Sequence, residues 1–271
     1  MEYLLFRLNG PLASWGEIAV GESRHSATYP GKSALLGLLA AALGIRRDEE
    51  ERQSELNIGY RFAVKVISTG HPLRDYHTVQ APDSVGKFVY RTRRDELVLG
   101  KERLGTILTS REYRCDALTL VAVVAEQGAP YTLDDLRNAL LKPRFHLYLG
   151  RKSCPVAAPL NPQVRTAAGF GAALDNYPHG PLYISKYLLS RAVKETPSGA
   201  TLADSPLLTK MSHEDERVFR YGDYPVRYYW EGDSGDLTSQ QSAPRHDQPL
   251  SRARWQFTQR TEQLRIGKGE P

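Results

Sequence analysis

Cationic and aromatic side chains alternate most densely in one short segment, LKPRFHLYLGRKSCP, at residues 141–155. From Lys142 to Lys152 it holds four lysines or arginines and no acidic residue. Cations neutralise phosphates and flat rings stack on bases, and proteins that bind single-stranded nucleic acid combine the two. The same composition also fits a solvated loop whose aromatic residues enter the core. The candidate RNA-binding residues of this segment are Lys142, Arg144, Tyr148, Arg151 and Lys152.

A second candidate is the sequence YPGKSALLGLLAAALGI at residues 29–45, in which a Gly-Lys-Ser triplet opens an apolar helix. It is not a phosphate-binding loop of the NTPase type, because that motif requires a glycine five residues before Gly31, where this chain has a serine. A helix N-terminus nevertheless presents free N–H groups and a partial positive charge. Lys32 and Ser33 are therefore candidates to hold a nucleic-acid phosphate. The alternative is a lysine that only faces water.

A third candidate is the segment LRDYHTV at residues 73–79, which brings Arg74, Asp75, Tyr76 and His77 together. Tyrosine and histidine can supply the acid and the base for cleavage of RNA. A single histidine in such a run is more often structural or in contact with a base. Both interpretations stay open from the sequence.

The region over residues 74–116 is rich in arginine and in β-forming residues and lacks helical periodicity. We expect a long exposed β-hairpin that includes KFVYRTRRDELVLGKERL at residues 87–104. Acidic residues offset many of its cations, as in a charged hairpin that faces solvent. A basic hairpin can equally act as an arm over a nucleic acid or over a neighbouring subunit.

Composition is typical of a soluble globular protein. The chain has 271 residues, of which 41% are hydrophobic and 25% charged. Its net charge of +5 favours a polyanionic partner. Two cysteines without CxxC spacing indicate a reducing compartment and no zinc site, and the histidines lack metal-ligand spacing, so we expect no metal or other cofactor. With no signal peptide and no apolar run long enough for a bilayer, we expect the cytoplasm.

The elements that position these candidates begin with a strand, a helix and a strand. The long insertion follows, and after it come a strand, a helix and a further strand. We predict strands at residues 3–8, 61–67 and 117–125. We predict a helix at 34–43, capped by Ser33 and ended by Gly44, and a helix at 132–141, capped by Thr132 with Asp135. This is the split βαβ order of ferredoxin-like domains, so the predicted fold class is α+β.

The chain after residue 160 is less regular in sequence. We predict loops at 190–216 and 231–249, which are rich in Ser, Pro, Asp and Gly. RVFRYGDYPVRYYW and RARWQFTQR are predicted strands. The expected organisation is therefore residues 1–160 with the hairpin inserted at about 74–116, followed by a β-rich region with long loops over residues 161–271.

Several of these segments together resemble one family. GPLASWG (10–16), YPGKSALLGLLAAALGIRRD (29–48), LRDYHTV (73–79), REYRCDA (111–117) and LKPRFHLYLGRKSCP (141–155) are similar to the Cas-five family of the RAMP superfamily. Within it they resemble the CasD type, found in the type I-E CRISPR complex Cascade. The blocks come in the family's order and cover most of residues 1–155, and the last two are the most specific.

The resemblance implies a ferredoxin-like, RRM-like palm with a hairpin thumb and a non-catalytic role in antiviral defence. Such subunits cap the CRISPR RNA, hold its 5′ handle, and contact the backbone subunit CasC and the large subunit CasA. Through the guide they act indirectly on target double-stranded DNA. Carried over to this chain, the implied RNA-binding residues are Arg24, Lys32, Ser33, Arg74, Tyr76, His77, Arg111, Tyr113, Lys142, Arg144, Tyr148, Arg151 and Lys152.

One alternative comes from the same superfamily. Related proteins of type I-C systems process CRISPR repeat RNA themselves, as metal-independent endoribonucleases that use tyrosine, lysine and histidine. This chain has Tyr76 and His77 side by side but no adjacent lysine–histidine pair. Tyr76 and His77 are therefore catalytic candidates only under this alternative.

Overall fold

The computed structural model describes residues 1–19, 21–83, 89–98, 101–182, 185–200, 202–219 and 225–267. Its strands are β1 (Glu2–Asn9), β2 (Leu12–Ala13), β3 (Trp15–Gly16), β4 (Ser23–Arg24), β5 (Ser26–Ala27), β6 (Tyr60–Ser68), β7 (His71–Pro82), β8 (Leu104–Cys115), β9 (Leu118–Ala125), β10 (Gln163–Thr166), β11 (Arg227–Trp230), β12 (Gln241–Ser251) and β13 (Gln256–Ile266). Its α-helices are α1 (Lys32–Leu43), α2 (Glu50–Gly59), α3 (Arg93–Leu97), α4 (Leu133–Leu141), α5 (Phe170–Asp175), α6 (Lys186–Glu195) and α7 (Pro206–Phe219).

The main sheet has seven antiparallel strands in the order β10-β1-β9-β6-β11-β13-β12. One face packs against α1 and α4, and Phe62, Val64 and Val66 of β6 point into that core as their alternation predicts. The other face packs against α5 around Phe170. The protein is therefore a mixed helix and strand structure built on antiparallel sheets.

The predicted strands at 3–8, 61–67 and 117–125 and the helices at 34–43 and 132–141 are confirmed within one or two residues at each end. Gly44 ends α1 in the left-handed conformation, with φ of 78°. Thr132 and Asp135 form the predicted capping box of α4. The predicted cap Ser33 is wrong, because α1 already begins at Lys32 and Gly31 occupies the N-cap position.

The arginine-rich insertion is a second, smaller sheet. Strands β7 and β8 pair antiparallel along twelve residues each, and β2 and β4 flank β8. The prediction that residues 87–104 are themselves hairpin strands is wrong where the structure describes them. They contain α3, with a capping box between Thr92 and Asp95, and a 3-10 turn at Lys101–Arg103. Residues 84–88 and 99–100 lie outside the described part of the chain.

The C-terminal third contains more regular structure than its composition predicts. The predicted loop at 190–216 is wrong, because it holds the end of α6 and most of α7. A local signal was present, since Pro206 at the first position of a helix follows Ser205. The predicted loop at 231–249 contains most of β12, and the predicted strand RARWQFTQR begins as β13 only at Gln256.

These C-terminal elements extend the main sheet. Strand β11 pairs with β6, and β10 pairs with β1, although both strands come after residue 160. Among the described residues, no helix combines the length and the apolar character that crossing a membrane requires.

Candidate nucleic-acid interface

The base of the β7–β8 hairpin collects arginines from three separate parts of the sequence. Arg24 of β4 lies beside Arg111 of β8 in the parallel register, and both side chains are exposed. Arg74 of β7 donates from Nε to the hydroxyl of Ser110 at 2.7 Å. Arg151 reaches the same strand from the loop after α4. Arg24, Arg111 and Arg151 share one face, and we call them the hairpin-base surface, while Arg74 lies at the same level on the opposite face of the strand pair.

Arg151 is held in place by a ring beneath it. Its guanidinium carbon lies 4.9 Å from the ring centroid of Tyr113, and its nitrogens donate to the carbonyls of Glu112 and Arg24 at 3.4 Å each. The Tyr113 residue is only 7% exposed and belongs to the core. Tyr113 therefore supports Arg151 and is not available to stack on a base, which corrects its predicted role as a direct RNA contact.

Glycine explains why the loop can deliver Arg151 to this position. Gly150 has φ of 89°, and a Cβ there would lie 1.8 Å from the carbonyl oxygen of Ser14. The neighbouring Leu149 carbonyl accepts the Ser14 N–H at 3.0 Å, and the Leu149 N–H donates to Cys154 at 2.7 Å. The LGRKSC sequence is thus a tight turn pressed against β2, with Lys152 exposed on it.

The first half of the same segment lies elsewhere. The N–H groups of Arg144 and Phe145 donate to Ala42 and Ala41 at the end of α1, at 3.0 and 3.1 Å. Lys142 and Arg144 are exposed there, and Tyr148 lies between the two ends of the segment with 36% exposure. The predicted cations of residues 142–152 therefore line a path from α1 to the hairpin base rather than a single cluster.

Tyr76 and His77 lie on β7 and differ in their surroundings. Tyr76 is 61% exposed, while the His77 ring is hydrogen-bonded to the Asp75 carboxylate. Successive side chains of a strand point to opposite faces, so the two groups face apart. A tyrosine–histidine acid–base pair acting on one phosphodiester from one side does not fit this arrangement.

The predicted phosphate contact of Lys32 is wrong in this structure for an electrostatic reason. Its side chain is buried, 6% exposed, with Nζ 3.0 Å from a carboxylate oxygen of Glu231. Its backbone N–H donates to Asp247 at 2.7 Å, so a carboxylate of the chain itself occupies the N-terminus of α1. The carbonyl of the predicted partner Ser33 accepts a hydrogen bond from Arg252. The acidic partners lie 199 and 215 residues away in sequence, so no local pattern reveals them.

Glu112 is a carboxylate at the hairpin base. It accepts hydrogen bonds from His25 at 3.1 Å and from the Ser26 N–H at 3.4 Å. Desolvation raises the pKa of Glu112, but the hydrogen bonds from His25 and Ser26 outweigh it and hold that pKa below its usual range.

The β12–β13 turn carries Arg252 and Trp255, and Arg47 lies beside it. None of these three residues was predicted as an RNA contact from the sequence. The alternation of arginine and tryptophan in RARWQF was the available signal. In the described ranges, no group of His, Cys, Asp and Glu is arranged to hold a metal.

The chain resembles known proteins in sequence and in fold. A family model described as "CRISPR-associated protein (Cas_Cas5)" matches residues 3–262. The chain belongs to the Cas5 family. It is 36% identical over 219 residues, 76% of this chain, to "CRISPR system Cascade subunit CasD" of Escherichia coli strain K12, and the match covers 89% of that protein.

Two solved structures share the fold of this Cas5 family member. A chain from a "CRISPR RNA-guided surveillance complex" matches with a TM-score of 0.59 at 22% identity, covering 98% of this chain and 90% of that one. A "Crystal structure of Cas protein" matches with a TM-score of 0.51 at 24% identity, covering 99% and 100%. At these identities the two structures support the fold alone.

Proposed function

We propose that this protein is a non-catalytic RNA-binding subunit of a type I-E Cascade complex that caps and holds the 5′ handle of CRISPR RNA. The observation that carries the proposal is the hairpin-base surface, where three arginines converge on one face of the hairpin in a chain 36% identical to a Cascade subunit. Arginine is the side chain best suited to phosphates, because its planar fork donates two parallel hydrogen bonds.

The fold supports a ferredoxin-like palm with a thumb. Strands β1, β6, β9 and β10 and the helices between them follow β-α-β-β-α-β order, and the strands lie side by side as β10-β1-β9-β6. We assign residues 1–160 together with β10 to the palm, with the β7–β8 hairpin as its thumb. The C-terminal region, residues 161–271 apart from β10, widens the sheet through β11, β12 and β13.

The proposed RNA contacts follow from exposure. Arg24, Arg74, Arg111, Arg151 and Lys152 bind phosphates at the thumb base, and Tyr76 stacks on a base. Lys142, Arg144 and Tyr148 continue the path towards α1. The Asp75 carboxylate is hydrogen-bonded to one nitrogen of the His77 ring, so His77 contacts RNA through the rest of the ring.

The proposed partners are those of a Cascade subunit: CRISPR RNA, the backbone subunit CasC and the large subunit CasA, with target DNA met indirectly. The exposed thumb offers a surface to a neighbouring subunit. We place the complex in the cytoplasm, where CRISPR RNA is made.

The test is a repeat-RNA assay with the purified full chain in EDTA, by filter binding and on a denaturing gel. We expect intact RNA, and tighter binding to RNA that carries the handle than to a random sequence of equal length. A single cut within the repeat that His77→Ala abolishes would replace this proposal with the endoribonuclease alternative. Equal binding of both RNAs would contradict the proposed recognition of the 5′ handle.

A further inference from the structure

The turn between β12 and β13 forms an exposed point that rests on α1 and α2. The amide of Asn57 in α2 donates to the Pro249 carbonyl at 3.2 Å, and Ser251 donates to Glu50. These contacts fix the turn against the helices. Its side chains at 252–255 are therefore presented from a supported position.

Arg252 crosses α1 without an acidic partner. One nitrogen donates to the Ser33 carbonyl. The guanidinium also lies next to Gly37, where an added Cβ would be 3.6 Å from it. Its Nε is buried and has no hydrogen-bond partner. Desolvation by burial, and then the nearby charge of Arg47, lower the pKa of Arg252 to about 10, so it remains charged at neutral pH.

Arg47 and Trp255 form an exposed pair beside it. The guanidinium carbon of Arg47 lies 4.4 Å from the ring centroid of Trp255, and Trp255 is 58% exposed. Trp255 also adopts a left-handed backbone conformation with φ of 59°, which bulky residues rarely do and which surrounding structure must enforce. An exposed ring held in an unfavourable backbone conformation is a feature typical of ligand contacts.

Within the described part of the chain no ion pair involves Arg47 or Arg252. The Glu50 carboxylate accepts a hydrogen bond from the Ser251 hydroxyl beside Arg252 and keeps its charge there. Against the lowering by desolvation, the nearby phenol of Tyr148 acts to raise the pKa of Arg252. Two like charges beside two aromatic rings favour a ligand that supplies both negative charge and flat faces.

We propose that Arg47, Arg252 and Trp255, with Tyr148 at the edge, bind single-stranded nucleic acid: Trp255 stacks on a base and the arginines contact the flanking phosphates. This C-terminal turn surface uses cations other than those of the hairpin base. It goes beyond the proposed handle binding, because base stacking and phosphate contact need no particular sequence.

Tryptophan fluorescence tests this directly. Trp15 and Trp230 are 4% and 2% exposed, so Trp255 is the tryptophan that a base in solution can reach. A short oligouridylate titrated into the full chain should quench fluorescence saturably, and added salt should weaken the effect. Trp255→Phe should abolish most of the quenching while retaining most of the affinity, and Trp255→Ala should lose both.

Arg47→Ala should weaken oligouridylate binding about tenfold, which corresponds to the loss of one charged contact. Arg191→Ala removes the same charge from α6, where Arg191 pairs with Glu195, and should leave binding unchanged. The surface proposal is overturned by absent quenching, by equal affinities of the two variants, or by quenching with polyglutamate but not with oligouridylate, which would indicate an acidic protein partner.

The two proposals fail separately. If handle-bearing and random RNA bind equally but oligouridylate still quenches Trp255, the turn surface stands and handle recognition does not. If handle preference is present and depends on Arg151, while quenching is absent, the handle proposal stands and the turn surface does not.

Discussion

The N-terminus of α1 and the base of the β7–β8 hairpin both place cations next to a glycine turn, yet they differ in what surrounds those cations. At α1, Lys32 meets Glu231, and the adjacent Arg245 and Arg260 meet Asp247 and Glu262. At the hairpin base the arginines face backbone carbonyls, a hydroxyl and a ring.

The difference separates structural from ligand-binding cations. Three cations that are buried or half-buried and three buried carboxylates at α1 neutralise one another and join the C-terminal strands to the helix. The arginines at the hairpin base retain unsatisfied donors and charge that a polyanion can neutralise. A cation in a glycine-rich turn is therefore informative only once its partners are known.

The largest expected effect is on stability, at Lys32. Lys32→Ala leaves the Glu231 carboxylate buried without its counter-charge, so we expect a loss of about 3–5 kcal/mol of unfolding free energy. Urea denaturation measures it. The double variant Lys32→Met, Glu231→Gln should recover much of the loss, because Gln still accepts the Phe62 N–H. A stable Lys32→Ala variant with weakened RNA binding would reverse the comparison and restore Lys32 as a phosphate ligand.

The next effect is on affinity, along the path of residues 142–152. Arg151→Ala or Arg144→Ala should weaken handle binding by about 1–3 kcal/mol. Each should also reduce the slope of log affinity against log salt by about 0.7, as the loss of one phosphate contact on a single strand predicts. Filter binding across a salt series measures both quantities, with Arg191→Ala as the control of equal charge. Unchanged affinity in both variants would remove this segment from the RNA path.

The smallest effect concerns Glu112, a carboxylate at the hairpin base. Because the pKa of Glu112 is lowered in the folded state, its charge stabilises the fold at neutral pH, and that contribution is lost as the pH falls below about 4.3, the ordinary glutamate value. Glu112→Gln should therefore be slightly less stable than the parent at pH 7, by less than about 1 kcal/mol, and the difference should shrink towards pH 3 as the pH falls through the lowered pKa of Glu112. The urea denaturation midpoints of the parent and the variant at pH 7 and pH 3 measure this difference in stability. A difference that persists at pH 3 would mean that packing, and not charge, explains it.

The elements that the sequence predicted correctly have local causes. Gly44 ends α1 because only glycine enters the left-handed conformation freely, and Thr132 with Asp135 starts α4 through bonds within four residues. Helix α2 was not predicted. It buries just one large apolar side chain, Leu56, so its apolar periodicity is weak.

The sequence by itself determined the central strands, helices α1 and α4, the basic segments and the family resemblance, because hydrophobic alternation, capping and motif order are local properties. Only the tertiary structure decided which cations remain available. Lys32 is neutralised by carboxylates about two hundred residues away, while Arg151 is brought to Tyr113 by the turn at Gly150. A charge belongs to a residue, but its partners are chosen by the fold, since electrostatic attraction acts between side chains that folding brings within a few ångströms.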